Sequence, residues 1–332
     1  MNSSNQTIAA GAVAEYNQCP VIALVVPCYN EEEALPVTAP TLIGVLDRMV
    51  EEGIASGESF VLCVDDGSKD HTWSIIEKLH ERYPRLLAIS LAHNRGQQNA
   101  MLAGLMTVRP ICDAAITLDA DLQDSPDAII EMVKEYRNGA DIVYGVRSSR
   151  KSDSWFKRNS ARAFYKLQRR LGLETIYDHS EFRLMDRRAL DCLSEYGESN
   201  IFLRGIMPHI GLNSAIVRYD RSARNAGETK YSVGKLISIS IDGITSFTAQ
   251  PMRLIFMVGV ALLLLDVFIG IWVLVSLFLG KAISGWASIM LSIWFLGSLM
   301  LIALGIIGEY IGKIFVEVKN RPRYAIAKEI LK

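Results

Sequence analysis

Two apolar runs near the C-terminus limit what this chain can fold into. Residues 255–279 form a stretch of 25 with one charge, Asp266, and residues 289–311 a stretch of 23 with one charge, Glu309. At 1.5 Å rise per residue, each is long enough to cross the roughly 30 Å hydrocarbon layer of a bilayer. A pair of buried core helices is the alternative, but two such runs in succession are rare in water-soluble domains. The connector, residues 280–288, carries only Lys281. Arg253 precedes the first run, and Lys313, Lys319, Arg321, Arg323 and Lys328 follow the second. Cationic flanks stay in the cytoplasm, so both ends of this hairpin are expected inside and the short loop outside. Asp266, in mid-span, is expected to face protein rather than lipid.

The rest of the chain is ordinary in charge. Thirty-five basic residues nearly cancel 36 acidic ones, for a net charge of -1, and half the residues are hydrophobic. Such a chain can bury a large core, which excludes wholesale disorder, and it lacks the positive excess of an electrostatic nucleic-acid binder. The five cysteines, Cys19, Cys28, Cys63, Cys112 and Cys192, are scattered with no C-x-x-C pair. This argues against a disulfide scaffold or zinc site and fits a reducing compartment. Residues 1–18 are polar, so no cleavable signal peptide is expected and residues 1–20 are read as a flexible N-terminus.

Between about residues 20 and 145, apolar strand-like runs alternate with helix-like ones. The runs are 21–26, 60–64, 86–91, 114–118 and 141–144, and the helical segments are 35–52, 72–82, 98–108 and 126–138. This alternation predicts an α/β domain with a mostly parallel sheet and helices on both faces. In such sheets ligands bind beyond the carboxyl ends of the strands, where this chain places its polar clusters. No G-x-G-x-x-G follows the first strand, and neither a G-x-x-x-x-G-K-[ST] loop nor a G-x-S-x-G elbow is present. Dinucleotide oxidoreductases, P-loop enzymes and α/β hydrolases are therefore disfavoured.

The strongest chemical signal is Asp119-Ala120-Asp121 at the end of the fourth run, followed by Leu122-Gln123-Asp124-Ser125-Pro126. Residues i and i+2 of an extended segment point the same way. Two carboxylates on one side make a hard, oxygen-rich site that suits Mg²⁺ or Mn²⁺ and could neutralise a diphosphate leaving group. An acidic pair alone is weak, since solvated loops carry many. Asp65-Asp66-Gly67-Ser68 and Pro27-Cys28-Tyr29-Asn30-Glu31 also end strands. Each reads either as a turn with a helix cap or as a set of acceptors for a base or ribose.

These segments, with Asn94-Arg95-Gly96, Phe182-Arg183-Leu184-Met185-Asp186-Arg187 and residues 221–231, occur in the order found in family 2 glycosyltransferases. With two terminal spans, the pattern resembles the polyisoprenyl-phosphate branch of that family, including bactoprenol glucosyltransferases and dolichol-phosphate mannose synthases. The resemblance covers roughly residues 20–320 and implies a GT-A, Rossmann-like domain followed by two transmembrane helices. It implies that Pro27, Tyr29, Glu31 and Asp66 contact the nucleotide, with Asp119 also on the nucleotide sugar. It further implies that Asp119, Asp121 and Gln123 hold the metal and diphosphate, and that Arg221, Arg224 and Lys230 lie near the acceptor phosphate. Asp121, Glu181 and Arg224 are the residues it marks for catalysis. The family often carries an aspartate before Phe-Arg-Leu as the base, and here that position is Glu181, with Asp178 upstream. A phosphate monoester is mostly dianionic at pH 7 and is already a nucleophile. Glu181 is therefore expected to orient the sugar or a basic partner rather than to abstract a proton.

The expected organisation is a catalytic domain over 21–230, a juxtamembrane amphipathic helix over 231–252, two spans over 253–315 and a cytoplasmic tail over 316–332. Residues 157–170 hold six basic residues and no acidic one, interleaved with aromatics. They read as a helix on anionic lipid or, equally, as a solvated helix packed on the domain. The resulting expectation is an inverting hexosyltransferase of the inner (plasma) membrane, multi-pass, with its catalytic domain in the cytoplasm. It would move glucose from UDP-glucose to polyprenyl (undecaprenyl) phosphate. Mannosyl transfer from GDP-mannose is the alternative donor reading, and a non-catalytic scaffold or transporter the alternative of another class. No nucleic-acid partner is expected, and assembly into a homo-oligomer, with a tetramer as the example, is expected by analogy alone.

Overall fold

The computed structural model describes residues 19–147, 179–198, 203–220 and 286–331, together with six isolated positions between 257 and 271. Two units form. The larger is a mixed sheet with flanking helices. In chain order it contains β1 (Ile22–Cys28), α1 (Leu35–Glu51), β2 (Phe60–Asp65), α2 (Thr72–Arg82), β3 (Leu86–Leu91) and α3 (Gln97–Val108). There follow β4 (Ala114–Thr117), α4 (Asp127–Arg137), β5 (Ile142–Arg147), β6 (His179–Asp186), α5 (Arg187–Ser194), α6 (Leu203–Ile210) and β7 (Ser214–Tyr219). After the C-terminal helix α7 (Trp286–Val318), the chain ends in β8 (Ile326–Ile330).

The strand order is β7-β5-β6-β4-β1-β2-β3-β8. β4, β1, β2 and β3 are mutually parallel, as are β5 and β7, while β6 and β8 run antiparallel to their neighbours. The sheet is thus mostly parallel, as the alternating pattern predicted. β1, β2, β3 and β4 are continuously apolar because both faces are covered, which removes any period-2 polar face. α1 buries Leu35, Ala39, Leu42, Leu46 and Met49, a spacing of four and three that lines one helical face. α3 is seated tightly on the sheet at Gly104. A Cβ on Gly104 would fall 2.5 Å from Val25 Cγ1 and 2.7 Å from Val64 Cγ2, so only glycine lets this helix sit where it does. That close approach sets the position of the α3 N-terminus.

The chain moves outward from β1 through β2 to β3, then returns to place β4 on the other side of β1. A topological switch point therefore lies between the carboxyl ends of β1 and β4, where ligands bind in open α/β sheets. All five cysteines are free.

Three elements differ from what the pattern predicted. β6 pairs antiparallel between β4 and β5, and its charged residues Glu181 and Arg183 are 5% and 1% exposed, so its burial pattern hides the strand period. Residues 316–332 were read only as a cytoplasmic tail, and within them β8 pairs with β3, while Arg323 donates to the Tyr196 carbonyl. α7 extends beyond the predicted span at both ends.

The second unit contains α7. Its segment Phe295–Val318 is, among the described residues, the one stretch long and apolar enough to cross a membrane. Ile293, Phe295, Met300, Ile302, Leu304 and Ile311 are all exposed. The first predicted span lies largely outside the described residues; its six described positions are helical. The juxtamembrane helix, the basic 157–170 segment and the N-terminal 18 residues also lie outside them.

Candidate active site

The loops after β1, β2 and β3 are joined into one floor by hydrogen bonds. Asp66 N donates to Cys28 O at 2.9 Å. Asn30 N donates to Ser68 Oγ at 3.0 Å, Lys69 N to Asn30 Oδ1 at 2.9 Å, and Glu31 N to Thr72 Oγ1 at 2.9 Å. Asn30 adopts φ +54, a left-handed conformation that asparagine tolerates. Gly67 has φ +66, and a Cβ there would lie 2.8 Å from Asn94 N, so the β2 and β3 loops meet backbone to backbone. Asp65 accepts from Ser68 N and from Ser90 Oγ.

Asp66 is 3% exposed, and its two oxygens accept from Arg95 N at 2.7 Å and Gly96 N at 2.8 Å. Burial pushes its carboxyl up, opposed by those two amides. Its partners in the structure are thus the loop that starts α3. Pro27 is paired within β1, Tyr29 is exposed beyond its end and Glu31 starts the turn into α1, so these three do gather at the β1 terminus.

The paired carboxylates sit across the switch point from that floor. Thr38 Oγ1, on α1, donates to Ala120 O at 2.6 Å and holds the backbone between them. Gln97 Nε2 donates to Asp119 Oδ1 at 2.7 Å, and Gln123 N to Asp121 Oδ1 at 3.2 Å. Leu122 adopts φ +50, a strained conformation for a leucine that costs about 1–2 kcal/mol. Strain of this kind concentrates at functional sites. Asp124, nearly buried, accepts from Tyr219 Oη at 2.5 Å and from Arg147 at 3.3 Å, which ties the ends of β5 and β7 to this loop.

Negative charge accumulates here. The carboxyl of Asp119 is pushed up to about 7, first by burial, then by the charges of Asp124, Asp121 and Glu181. A bound cation would relieve that repulsion. Among the described residues no three acidic, histidine or cysteine side chains form a preformed cage. Mg²⁺ and Mn²⁺ are commonly held by one or two carboxylates with substrate phosphates and waters completing the shell.

Glu181 lies beside this site on β6. Its carboxylate accepts from Gln98 Nε2 at 2.9 Å, from Arg204 Nε at 2.7 Å and from Arg183. Gln97, Gln98, Arg147, Arg204 and Tyr219 were not singled out from the sequence. A glutamine pair opening a helix at a strand end was the available signal for the first two. Arg221, Arg224, Lys230 and Asp178 lie outside the described residues.

Residues 23–194 match the domain described as glycosyl transferase family 2. This chain belongs to that family. An uncharacterized glycosyltransferase of Bacillus subtilis, YkoT, is 48% identical over 92% of this chain and 91% of its own length. The SfII prophage-derived bactoprenol glucosyl transferase of Shigella flexneri is 38% identical over 92% of this chain and 97% of its own. A prophage bactoprenol glucosyl transferase homolog of Escherichia coli is 37% identical over 92% and 98%. The family 2 chain described here is therefore a glycosyltransferase with an α/β fold of the GT-A type, and the switch-point cleft is its candidate active site.

Proposed function

We propose that this glycosyltransferase moves a hexose, glucose from UDP-glucose, onto polyprenyl (undecaprenyl) phosphate at the cytoplasmic face of the membrane, with inversion. The observation that carries this reading is the similarity to bactoprenol glucosyl transferases over 92% of the chain, a length that takes in the acidic cleft and the apolar C-terminal segment alike. The β1 and β2 loops would hold the nucleotide through Pro27, Tyr29 and Glu31, with Asp66 supporting the floor beneath. Asp119, Asp121 and Gln123 would hold Mg²⁺ or Mn²⁺, which when bound neutralises charge on the leaving diphosphate.

The acceptor needs position and positive charge rather than a base, because a phosphate monoester is already anionic at pH 7. The chain leaves β7 at Tyr219, which donates to Asp124, so the basic segment beginning at Arg221 starts from the acidic end of the sheet. Arg221, Arg224 and Lys230 are the proposed partners of the acceptor phosphate. A phosphate oxygen then attacks the anomeric carbon as the bond to the nucleoside diphosphate breaks, a single displacement that inverts configuration.

Connectivity supports a two-span anchor. β8 is hydrogen-bonded to β3, so the chain that leaves β7 has rejoined the same sheet by Ile326. It must cross a bilayer an even number of times in between. A crossing by α7 therefore calls for a second, and residues 255–279 are the apolar run available for it.

The test is a donor screen with full-length protein in detergent, undecaprenyl phosphate and either metal. Radiolabelled UDP-glucose, UDP-galactose, UDP-N-acetylglucosamine and GDP-mannose are compared. Label entering the organic phase from UDP-glucose alone, and lost in Asp121→Ala, is the expected result. Transfer from GDP-mannose alone replaces the donor assignment, and no transfer from any donor overturns the lipid-acceptor reading.

A further inference from the structure

The first turn of α3 presents two glutamines in succession, and each binds a different carboxylate of the cleft. Gln97 binds Asp119, as described, and Gln98 binds Glu181. The orientation of the Gln98 amide is fixed by its second contact. Leu203 N donates to Gln98 Oε1 at 3.1 Å, and a backbone N–H can only donate. Oε1 therefore faces Leu203 and Nε2 faces the carboxylate. The Leu203 carbonyl in turn accepts from Arg183 at 3.1 Å. The N–H and carbonyl of Leu203 at the start of α6, the Arg183 guanidinium and the Glu181 carboxylate on β6, and the Gln98 amide on α3 thus close a ring of hydrogen bonds.

Glu181 is 5% exposed and every contact its carboxylate makes with Gln98, Arg183 and Arg204 is with a donor. The two guanidinium groups supply charge, and Arg204 does so from the exposed side. The amide adds a neutral donor whose reach is set by the close seating of α3 on the sheet at Gly104. Asp119 is the other charge that faces Glu181, and Arg147 opposes both Asp119 and Asp124 from β5.

We propose that Gln98 is a positioning residue of the transfer centre: it locks the Glu181 carboxylate and the Leu203 peptide into one arrangement beside the paired aspartates. This rests on the proposed function and deepens it, since Glu181 then acts as a fixed acceptor that orients the donor sugar rather than as a proton acceptor. It also links the metal loop and Glu181 to a single helix end, so that a shift of α3 would disturb both together.

The experiment replaces the amide by a group that can imitate it in one protonation state only. In Gln98→Glu, the new carboxyl faces Glu181 at hydrogen-bond distance. Two carboxylates so placed share one proton, and the protonated acid donates and accepts where the amide did. Hexose transfer is measured for wild type and Q98E between about pH 6 and about pH 8.5, with kcat and donor KM separated. At saturating Mn²⁺, wild-type kcat is expected to change by no more than about twofold, the fraction of acceptor phosphate protonated at the acid end. Q98E is expected to approach it at the acid end and to lose about 10- to 100-fold at the alkaline end, the equivalent of one hydrogen bond to a charged group. Gln98→Leu, which removes the contacts without adding charge, is expected to lose the same factor at every pH. A Q98E profile parallel to wild type, or a Q98L enzyme with wild-type kcat, overturns the assignment.

Failure of wild type to transfer hexose overturns the function reading instead. Gln98 is then judged on binding alone. The gain in affinity of UDP-glucose over UDP, measured calorimetrically with Mn²⁺, should fall with rising pH in Q98E and not in wild type. A gain that is absent in wild type, or independent of pH in both, overturns the positioning role.

Discussion

Replacing Asp66 by asparagine separates two roles that the residue could have. Its carboxylate accepts from Arg95 N at 2.7 Å and Gly96 N at 2.8 Å in a setting only 3% exposed. Asparagine keeps one acceptor and turns an NH₂ group toward the other amide. One buried N–H is then unsatisfied, at about 1–3 kcal/mol. The surviving bond loses its charge assistance, about 1 kcal/mol more. The total is about 2–4 kcal/mol against a typical stability of about 5–15 kcal/mol, so the protein stays folded. For a domain of this size that lowers the melting temperature by about 4–16 °C. Hydrogen exchange followed by mass spectrometry should show faster exchange in peptides covering residues 93–98, with the β1 and β2 strands unchanged. Unchanged exchange and melting temperature combined with lost UDP binding would refute the loop-support argument and return Asp66 to the nucleotide.

Other outcomes follow from the same geometry. Gly67→Ala forces a left-handed alanine, about 1–2 kcal/mol, and sets a Cβ 2.8 Å from Asn94 N, so it should melt earlier than wild type; an unchanged melting curve contradicts the close loop contact. Asp119 sits at about 7 without a cation, and a ligating carboxylate must be ionised, so if Asp119 holds the metal, apparent Mn²⁺ affinity should weaken about fivefold from pH 7 to pH 6. Calorimetric titrations giving equal affinity at the two pH values would contradict this. The Asp186 carboxyl is raised to about 6, first by burial, with Asp141 adding to it and the Ala189 amide opposing. Its folded-state value lies above its unfolded one near 3.9, so the stability it contributes is present below about pH 4 and lost as pH rises through about 6. Asp186→Asn should remove that part of the decline in melting temperature between about pH 4 and about pH 6, and a parallel decline in both proteins rules it out. Ending the chain before β8 exposes the β3 edge and should lower both the melting temperature and the transfer rate; full activity would show that β8 is dispensable.

Much of the sheet was legible because its strands are buried on both faces and its helices are not. Continuous apolar runs ending at Asp65-Asp66, His93 and Asp119 marked β2, β3 and β4, and the four-three spacing of Leu35, Ala39, Leu42, Leu46 and Met49 marked α1. β6 was quoted as a motif but not read as a strand. Phe182 and Leu184 line one face, while Glu181 and Arg183 fill the other with a buried ion pair, so polarity no longer reports exposure. β8 carries only Ile-Ala-Lys-Glu-Ile and is mostly exposed, too short and too polar to declare a partner 235 or more positions away in sequence. In the cleft, Asp119 and Asp121 were identifiable as an acidic pair closing an apolar run, although β4 ends at Thr117 and the pair lies in the turn beyond it rather than on the strand. The partners of Asp66, Glu181 and Asp124 were not, since each is set by a tertiary approach: Gly67 against the β3 loop, Gly104 against β1 and β2, Tyr219 at the end of β7.

Transfer of the sugar to a lipid phosphate is read by mass spectrometry of the lipid extracted after incubating full-length protein with UDP-glucose, undecaprenyl phosphate and Mn²⁺. The expected product is one hexosyl unit heavier than the acceptor, absent with Asp121→Ala and absent when a chelator removes the cation. An acceptor of unchanged mass, while UDP is released and the hexose is recovered free in water or on another molecule, would contradict transfer to the lipid.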